Sequence, residues 1–170
     1  MNSVNESKIR KRGFEKVSLE SYLKSNSNAN VENYQTIKMP LRKTFQSAGY
    51  DFFAPYSFVL LPGDSILLPT GIKAYMQETE FLAIYIRSSL GAKKDIVMKN
   101  SVGIIDSDYY NNSGNEGHIF LALKNTSNTL WSVSAGDAVA QGIFQKYLTV
   151  DDEEKELQQN RLGGFGSTGK

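Results

Sequence analysis

The stretch Ser57-Phe-Val-Leu-Leu-Pro-Gly-Asp-Ser-Ile-Leu-Leu-Pro-Thr-Gly-Ile-Lys-Ala-Tyr-Met76 decides the fold class. It contains three short apolar runs, Ser57 to Leu61, Ile66 to Leu68 and Ile72 to Met76. Pro62-Gly63-Asp64 closes the first run and Pro69-Thr70-Gly71 the second. Proline withholds a backbone donor and glycine accepts conformations that other residues avoid, so runs of this length between such breaks read as strands joined by turns. The same texture extends outward through Phe81 to Arg87, His118 to Leu123 and Val139 to Phe144. No segment between Met39 and Tyr147 shows a sustained helical period. Several short strands at this spacing predict an all-β subunit, a sandwich or jelly roll.

The flanks read differently. Residues 1 to 11 and 24 to 35 are polar and rich in Ser and Asn, which predicts loose structure, with a first strand at Gly13 to Leu19. Two helix candidates remain, Leu19 to Lys24 and the acidic Val150 to Gln159. Residues 161–170 hold four glycines and one aromatic residue, Phe165. That composition predicts a flexible Gly-rich arm. The expected organisation is an N-terminal extension over 1–38, a β core over 39–150, and a linker with a C-terminal flap over 151–170.

Composition excludes several function classes. At 170 residues the chain suits one domain. Its 19 basic and 18 acidic residues leave a formal charge of +1, with no broad basic field for nucleic acid. The cluster Lys8, Arg10, Lys11 and Arg12 reads as a solvated terminus. With no cysteine and a single histidine, His118, neither a thiolate site nor a multi-His metal centre can form. The longest apolar run, Phe81 to Ile86, is far too short to span a bilayer, and no signal peptide is expected. The sequence reads as a soluble intracellular protein with no membrane partner.

Several segments carry chemistry. Gly164-Phe-Gly166-Ser-Thr-Gly169 fits a dinucleotide-type glycine pattern, and Gly164 to Lys170 fits the opening of a P-loop. Both devices work by setting phosphate against a helix N-terminus after a strand, and no such helix follows Lys170 in this sequence. What remains is a glycine backbone open to close approach, hydroxyls at Ser167 and Thr168, charge at Arg161 and Lys170, and an aromatic face at Phe165. Arg87-Ser88-Ser89 ends an apolar strand with a guanidinium and two hydroxyls, which suits phosphate oxygens, although a surface ion pair is an equal reading for Arg87. Asp51, Asp106 and Asp108 stand in loops where aspartate usually caps a turn, and Gly136-Asp137 reads as a hairpin turn before Gln141.

Taken in order, Ala48-Gly-Tyr-Asp51, Arg87-Ser-Ser-Leu90, Asn100-Ser-Val-Gly-Ile-Ile-Asp-Ser-Asp-Tyr109, Gly136-Asp-Ala-Val-Ala-Gln141 and Gly163-Gly-Phe-Gly-Ser-Thr-Gly169 resemble the five motifs of the trimeric dUTPases. The resemblance spans residues 39 to 170 and is similar in detail to the enzymes of Gram-positive bacteria and their phages. It implies a jelly-roll homotrimer with shared active sites, cytoplasmic in a bacterium or phage-infected cell, that hydrolyses dUTP to dUMP and pyrophosphate with Mg²⁺. Within it, Asp106 would be the general base. Asn100 and the hairpin backbone at Gly103 and Ile104 would read uracil, and Tyr109 would pack under deoxyribose. Arg87, Ser88, Ser89 and Gln141 would hold phosphates, Asp51 would hold a water on Mg²⁺, and Arg161, Phe165, Gly166, Ser167 and Thr168 would close over the nucleotide.

This chain departs from that pattern in two places. The family reaches a glycine two residues after Tyr109, whereas here Tyr110 to Glu116 precede Gly117, with Gly114 as the alternative equivalent, and Arg161 lies four residues before Phe165, one fewer than expected. Two rival readings follow. dCTP deaminase shares the fold and the Arg-Ser-Ser segment, but its glutamate falls on Ala122 and its further arginine on Ala92. A regulatory binding protein on a dUTPase scaffold would use the N-terminal extension or the altered hairpin to hold a protein partner.

Overall fold

The computed structural model describes residues 10–152. Its strands are β1 (Gly13–Lys16), β2 (Tyr50–Phe53), β3 (Phe58–Leu60), β4 (Ser65–Pro69), β5 (Ile72–Tyr75), β6 (Glu80–Ile86), β7 (Ile96–Met98), β8 (Gly103–Asp106), β9 (Phe120–Asn125), β10 (Trp131–Val133) and β11 (Ala138–Lys146). Short helices α1 (Leu19–Leu23), α2 (Val31–Gln35) and α3 (Ser88–Lys94) interrupt them, and a 3-10 turn covers Ser107–Tyr109. The strands form a four-stranded sheet in the order β2-β11-β6-β8, a three-stranded sheet β4-β9-β7, and the pairs β1-β5 and β3-β10. Every pairing between strands is antiparallel.

Alternation of side chains across each strand builds one core between the two larger sheets. Phe52, Leu82, Ile84 and Ala140 from the first pack in the same buried cluster as Leu68, Ile96, Met98, Leu121 and Leu123 from the second. Strand β9 shows the rule plainly, since Leu121, Leu123 and Asn125 are buried while their neighbours are partly solvated. Asn125 is tolerated inside because its amide donates to the carbonyls of Leu60 and Thr129 at 3.0 and 2.8 Å.

The N-terminal segment is more ordered than its composition predicts. The expected first strand forms and pairs with β5, and Phe14 packs its ring on Tyr50, Phe52 and Phe144 at centroid distances of 5.3, 5.6 and 5.3 Å. The Leu19 helix also forms, capped by the Ser18 hydroxyl. Residues 24 to 35, expected to be loose, instead include α2. There Asn30 and Asn33 form a reciprocal capping box, so the Asn content that reads as loop supplies the helix start. Tyr34 then packs its ring against Tyr22, tilted by 43° at a centroid distance of 5.6 Å, and donates its hydroxyl to the Val17 carbonyl at 2.7 Å.

Four further expectations are corrected. The sequence predicts no helix after Arg87, but Arg87 is the N-cap of α3. The turn at Gly136-Asp137 exists, with Gly136 at φ 84°, yet it is no hairpin: β10 pairs with β3 and β11 with β2 and β6, so it carries the chain between sheets. Among the described residues the hairpin expected after Asn100 does not form as such, because β8 pairs there with β6 alone and leads into the 3-10 turn and a loop. The basic cluster near residue 10 is not wholly solvated either. Arg12 pairs with buried Glu80 and holds its carboxyl below the usual carboxylate range, and Arg10 pairs with Glu15.

His118 is a buried neutral hub. Its Nε2 accepts the Gly71 N–H at 2.8 Å and its ring lies 4.4 Å from Phe120. Burial lowers its pKa from 6.5 to about 4, against the opposing pull of Glu116. The unfolded chain therefore binds a proton that the native state refuses, so this contribution is complete above pH 6.5 and is lost as pH falls from 6.5 toward 4. Urea unfolding should show a loss of about 2 kcal/mol between about pH 7.5 and about pH 5. His118→Gln, which keeps an acceptor for Gly71 but does not titrate, should flatten that slope; an unchanged slope would assign it to other groups.

Candidate active site

Strand β11 sets the site. Its register places Gln141 opposite Asp51 of β2 on one side and Tyr85 of β6 on the other. A register shift between Ala138 and Ala140 marks a bulge, and the carbonyl of Ala138 accepts from Arg87 Nη1 at 3.2 Å. Bulges commonly re-aim groups beside functional sites. Arg87 Nε meets Asp51 Oδ1 at 3.1 Å, so the ion pair foreseen for Arg87 forms, but in a half-buried cleft.

Around this pair lies a cleft of about 330 Å³ lined by Lys43, Gly49, Asp51, Arg87, Ser88, Ser89 and Gln141 among others. Three segments distant in sequence thus converge, with the hydroxyl-bearing residues Ser88 and Ser89 exposed at the start of α3. Asp51 is itself buried, and its Oδ2 has no hydrogen-bond partner among the described residues. Lys43 Nζ stands 4.0 Å from that oxygen, outside hydrogen-bond reach. A buried carboxylate oxygen left open in a polar cleft suits a bound water or a hydrated cation. Among the described residues no group of three or more His, Cys, Asp or Glu is placed to hold a metal ion.

Sequence reading missed Lys43, eight residues before Asp51, and the Ala138 carbonyl. The lysine was legible as charge but had no motif around it. The carbonyl depends on the bulge, which no side-chain pattern announces.

The remaining expected residues lie elsewhere. Asp106 ends β8, paired with Phe81, and Ile104 pairs with Ala83 and is exposed. Counted along this register, Asp106 sits three strands across and four residues along from Asp51, about 20 Å away. Gly103 begins β8, the edge strand of its sheet, where one row of backbone N–H and C=O groups faces away from any neighbouring strand. Asn100 is exposed in the turn just before it. Tyr109 is buried, donating its hydroxyl to the His118 carbonyl at 2.8 Å and accepting from Asn115 Nδ2 at 2.7 Å. Arg161, Phe165, Gly166, Ser167 and Thr168, and most of the Val150 to Gln159 helix candidate, lie outside the described residues.

Fold and cleft together define an all-β subunit with a polar cleft at Asp51 and Arg87, and Asp106 at the far edge of the same sheet. The dUTPase family model matches residues 35–169. A deoxyuridine 5'-triphosphate nucleotidohydrolase of Lactococcus lactis is 47% identical over 133 residues, covering 78% of this chain and 89% of the relative. The same-named protein of Haemophilus influenzae is 34% identical over 138 residues, covering 78% and 87%. The crystal structure of dUTPase from Streptococcus mutans superposes with a TM-score of 0.66 at 41% identity, covering 82% of this chain and 98% of that one. A dUTPase from phage phi11 of S. aureus shares the fold at 19% identity, with a TM-score of 0.65 and coverage of 86% and 97%.

The chain belongs to the dUTPase family. The deaminase alternative is set aside, since the family match is to dUTPases and Ala122 and Ala92 carry no titratable group.

Gly49 offers a test of the cleft that spares the fold. A Cβ there would lie 2.6 Å from Gln141 Oε1, the movable end of a side chain, and 3.3 Å from Gln141 Cβ, a contact that a shift of a few tenths of an ångström relieves. Gly49→Ala should therefore displace Gln141, leaving thermal stability nearly unchanged while KM for the nucleotide rises about tenfold, a change of about 1.4 kcal/mol. An unaltered KM would remove Gln141 from the binding surface.

Arg87→Ala should instead destabilise the chain by about 2 kcal/mol, because it strands the Asp51 carboxylate. A double-mutant cycle with Asp51→Asn, read by urea unfolding, should recover most of that loss. Simple additivity would show that the pair contributes nothing to stability.

Proposed function

We propose that this dUTPase cleaves dUTP to dUMP and pyrophosphate with Mg²⁺, by attack of an Asp106-activated water on the α-phosphorus, in homotrimers whose pockets combine segments of different chains. The observation that carries the reading is the cleft that brings Asp51, Arg87, Ser88, Ser89 and Gln141 together on a chain of this family. Arg87 has two nitrogens engaged within the protein, by Asp51 and Ala138, and keeps Nη2 for a phosphate oxygen. Asp51 would accept from a water on Mg²⁺ through Oδ2. When bound, the cation neutralises charge on the triphosphate and helps fix it for in-line displacement.

Asp106 would take a proton from the attacking water as its oxygen bonds to the α-phosphorus and the bond to the bridging oxygen breaks, releasing pyrophosphate. The edge backbone at Gly103 and Ile104, with Asn100, would pair with uracil, and the space beside it would refuse a 5-methyl group. Tyr109 would lie under the sugar and exclude a 2′-hydroxyl. Residues from Arg161 to Thr168 would complete the pocket, with Phe165 on the base and the hydroxyls on phosphate. The separation of about 20 Å between Asp51 and Asp106 supports division of the pocket between chains, since a triphosphate cannot span both within one subunit.

Pyrophosphate release measured across the common nucleotides should show strong preference for dUTP over dTTP, UTP and dCTP. Comparable turnover of dTTP or UTP would sink the proposed base and sugar readings. Asp106→Asn should lower kcat by about 10²- to 10⁴-fold with nucleotide binding retained.

Mixing Asp106→Asn chains with Arg87→Ala chains should restore part of the activity, because a mixed trimer can then hold one pocket with both groups intact. If both residues acted within one chain, no mixture could recover activity.

A further inference from the structure

The loop after Tyr109 is folded by two sets of bonds. The first is internal. Buried Asn112 donates Nδ2 to the Tyr109 carbonyl at 2.7 Å and accepts the N–H groups of Gly114 and Asn115 at 2.9 and 3.0 Å. Asn115 in turn donates to the Tyr109 hydroxyl. Gly117, at φ 82°, closes the loop flush on the Tyr109 backbone, where a Cβ would come within 2.6 Å of the Tyr109 carbonyl oxygen.

The second set ties the loop to elements outside it. The Glu116 carboxylate accepts the N–H of Ser18 at 2.9 Å and its hydroxyl at 2.5 Å, and Lys73 Nζ lies 3.7 Å away. Tyr110 donates its hydroxyl to Glu15 at 2.6 Å. Glu116 adopts φ 61°, a conformation that a non-glycine residue holds only when its surroundings over-determine it. Its backbone also bonds both ways to Asn111 and Asn112, at 3.0 Å each. A shift at Glu116 therefore reaches Asn112 and Asn115, two side chains that bond to Tyr109.

We propose that Glu116, anchored by Ser18 and Lys73, is a positioning residue for Tyr109, so that the segment ahead of the family-matched region takes part in discriminating the sugar of the substrate. This rests on the reading of Tyr109 as the residue beneath the sugar. Ser18 and Glu15 precede residue 35, where the family match begins, so the device joins the segment ahead of the matched region to the loop after Tyr109. Glu116 touches no reacting atom. Its effect would be on where Tyr109 sits, and displacement by about 1 Å suffices to change rates strongly.

The test compares dUTP and UTP as substrates of the full chain and of Glu116→Ala, Glu116→Gln, Ser18→Ala and Lys24→Ala. Glu116→Ala should lower the ratio of the two kcat/KM values about tenfold, mainly through a rise in KM for dUTP. Glu116→Gln should recover part of it, since its amide oxygen still accepts from Ser18, and Ser18→Ala should lose part. Lys24, whose exposed pair with Glu20 lies on the same helix, should leave both substrates unaffected. Amide exchange over residues 109–117 should quicken in Glu116→Ala.

An unchanged ratio in folded Glu116→Ala, or an equal loss for both substrates, would overturn the proposal. Should that variant fail to fold, Ser18→Ala and Tyr110→Phe are read by the same ratio. If the unmodified chain shows no preference for dUTP over UTP, the sugar reading of Tyr109 fails instead, and amide exchange alone then decides whether Glu116 orders the loop.

Discussion

Strand β11 is paired on both sides, with β2 and with β6, and its register is the constraint on which the site depends. Side chains alternate along a strand, so a slip of one residue would turn Gln141 from the cleft into the core and bring buried Ala140 or Gly142 out. Packing forbids the slip. Gly142 lies where a Cβ would meet Phe52 and Leu82 at 2.8 and 3.0 Å, and Val139 and Ala140 are fully enclosed. The apolar fit that fixes the sheet thus also fixes the distance from Gln141 to Asp51 and the aim of the Ala138 carbonyl at Arg87. Stability and site geometry here have one cause.

The Asp51–Arg87 pair follows a different logic. Taking two charges partly out of water costs several kcal/mol per ion before their attraction is counted, and such pairs are often replaceable by apolar residues without loss of stability. This one is not even fully satisfied, since Oδ2 of Asp51 has no hydrogen-bond partner among the described residues. A pair built only for stability would close that deficit. Under the proposed function, that acceptor and the guanidinium edge would meet a hydrated cation and a phosphate with no reorganisation. On that reading the deficit is preorganisation rather than poor packing.

The sequence made the strands legible where apolar runs met Pro-Gly-Asp or Pro-Thr-Gly, because those residues act locally. It made the site legible as an ordered set of motifs, and the cleft does gather Asp51, Arg87, Ser88, Ser89 and Gln141. What it hid was long-range. The Gly136 turn looks like a hairpin because turn chemistry is local, whereas the partners of β10 and β11 are chosen by the whole sheet. Likewise α2 looked like a loop because Asn30 and Asn33 favour caps and turns alike, and only the Tyr22–Tyr34 contact decides between them. Helix α3 was missed for a related reason, since a seven-residue helix with Leu90 as its only buried residue carries too little period to detect.

The N-terminal extension and the lengthened loop are best understood as parts of one solution. Seven residues between Tyr109 and Gly117 rich in Asn and Ser bury little apolar surface, and ordering them costs about 1 to 2 kcal/mol each in backbone entropy alone. Internal hydrogen bonds, at about 1 kcal/mol net each, offset much of that cost. The missing stabilisation comes from partners already ordered for another reason. Ser18 is fixed as the cap of α1, Glu15 by the pairing of β1 with β5, and Lys73 by its place on β5. Those elements are in turn held by apolar contacts, Phe14 on the main sheet and Tyr22 against Tyr34 and His118. The polar loop therefore draws its order from a hydrophobic anchor about a hundred residues away in sequence, which is why neither segment's structure can be understood from its own composition.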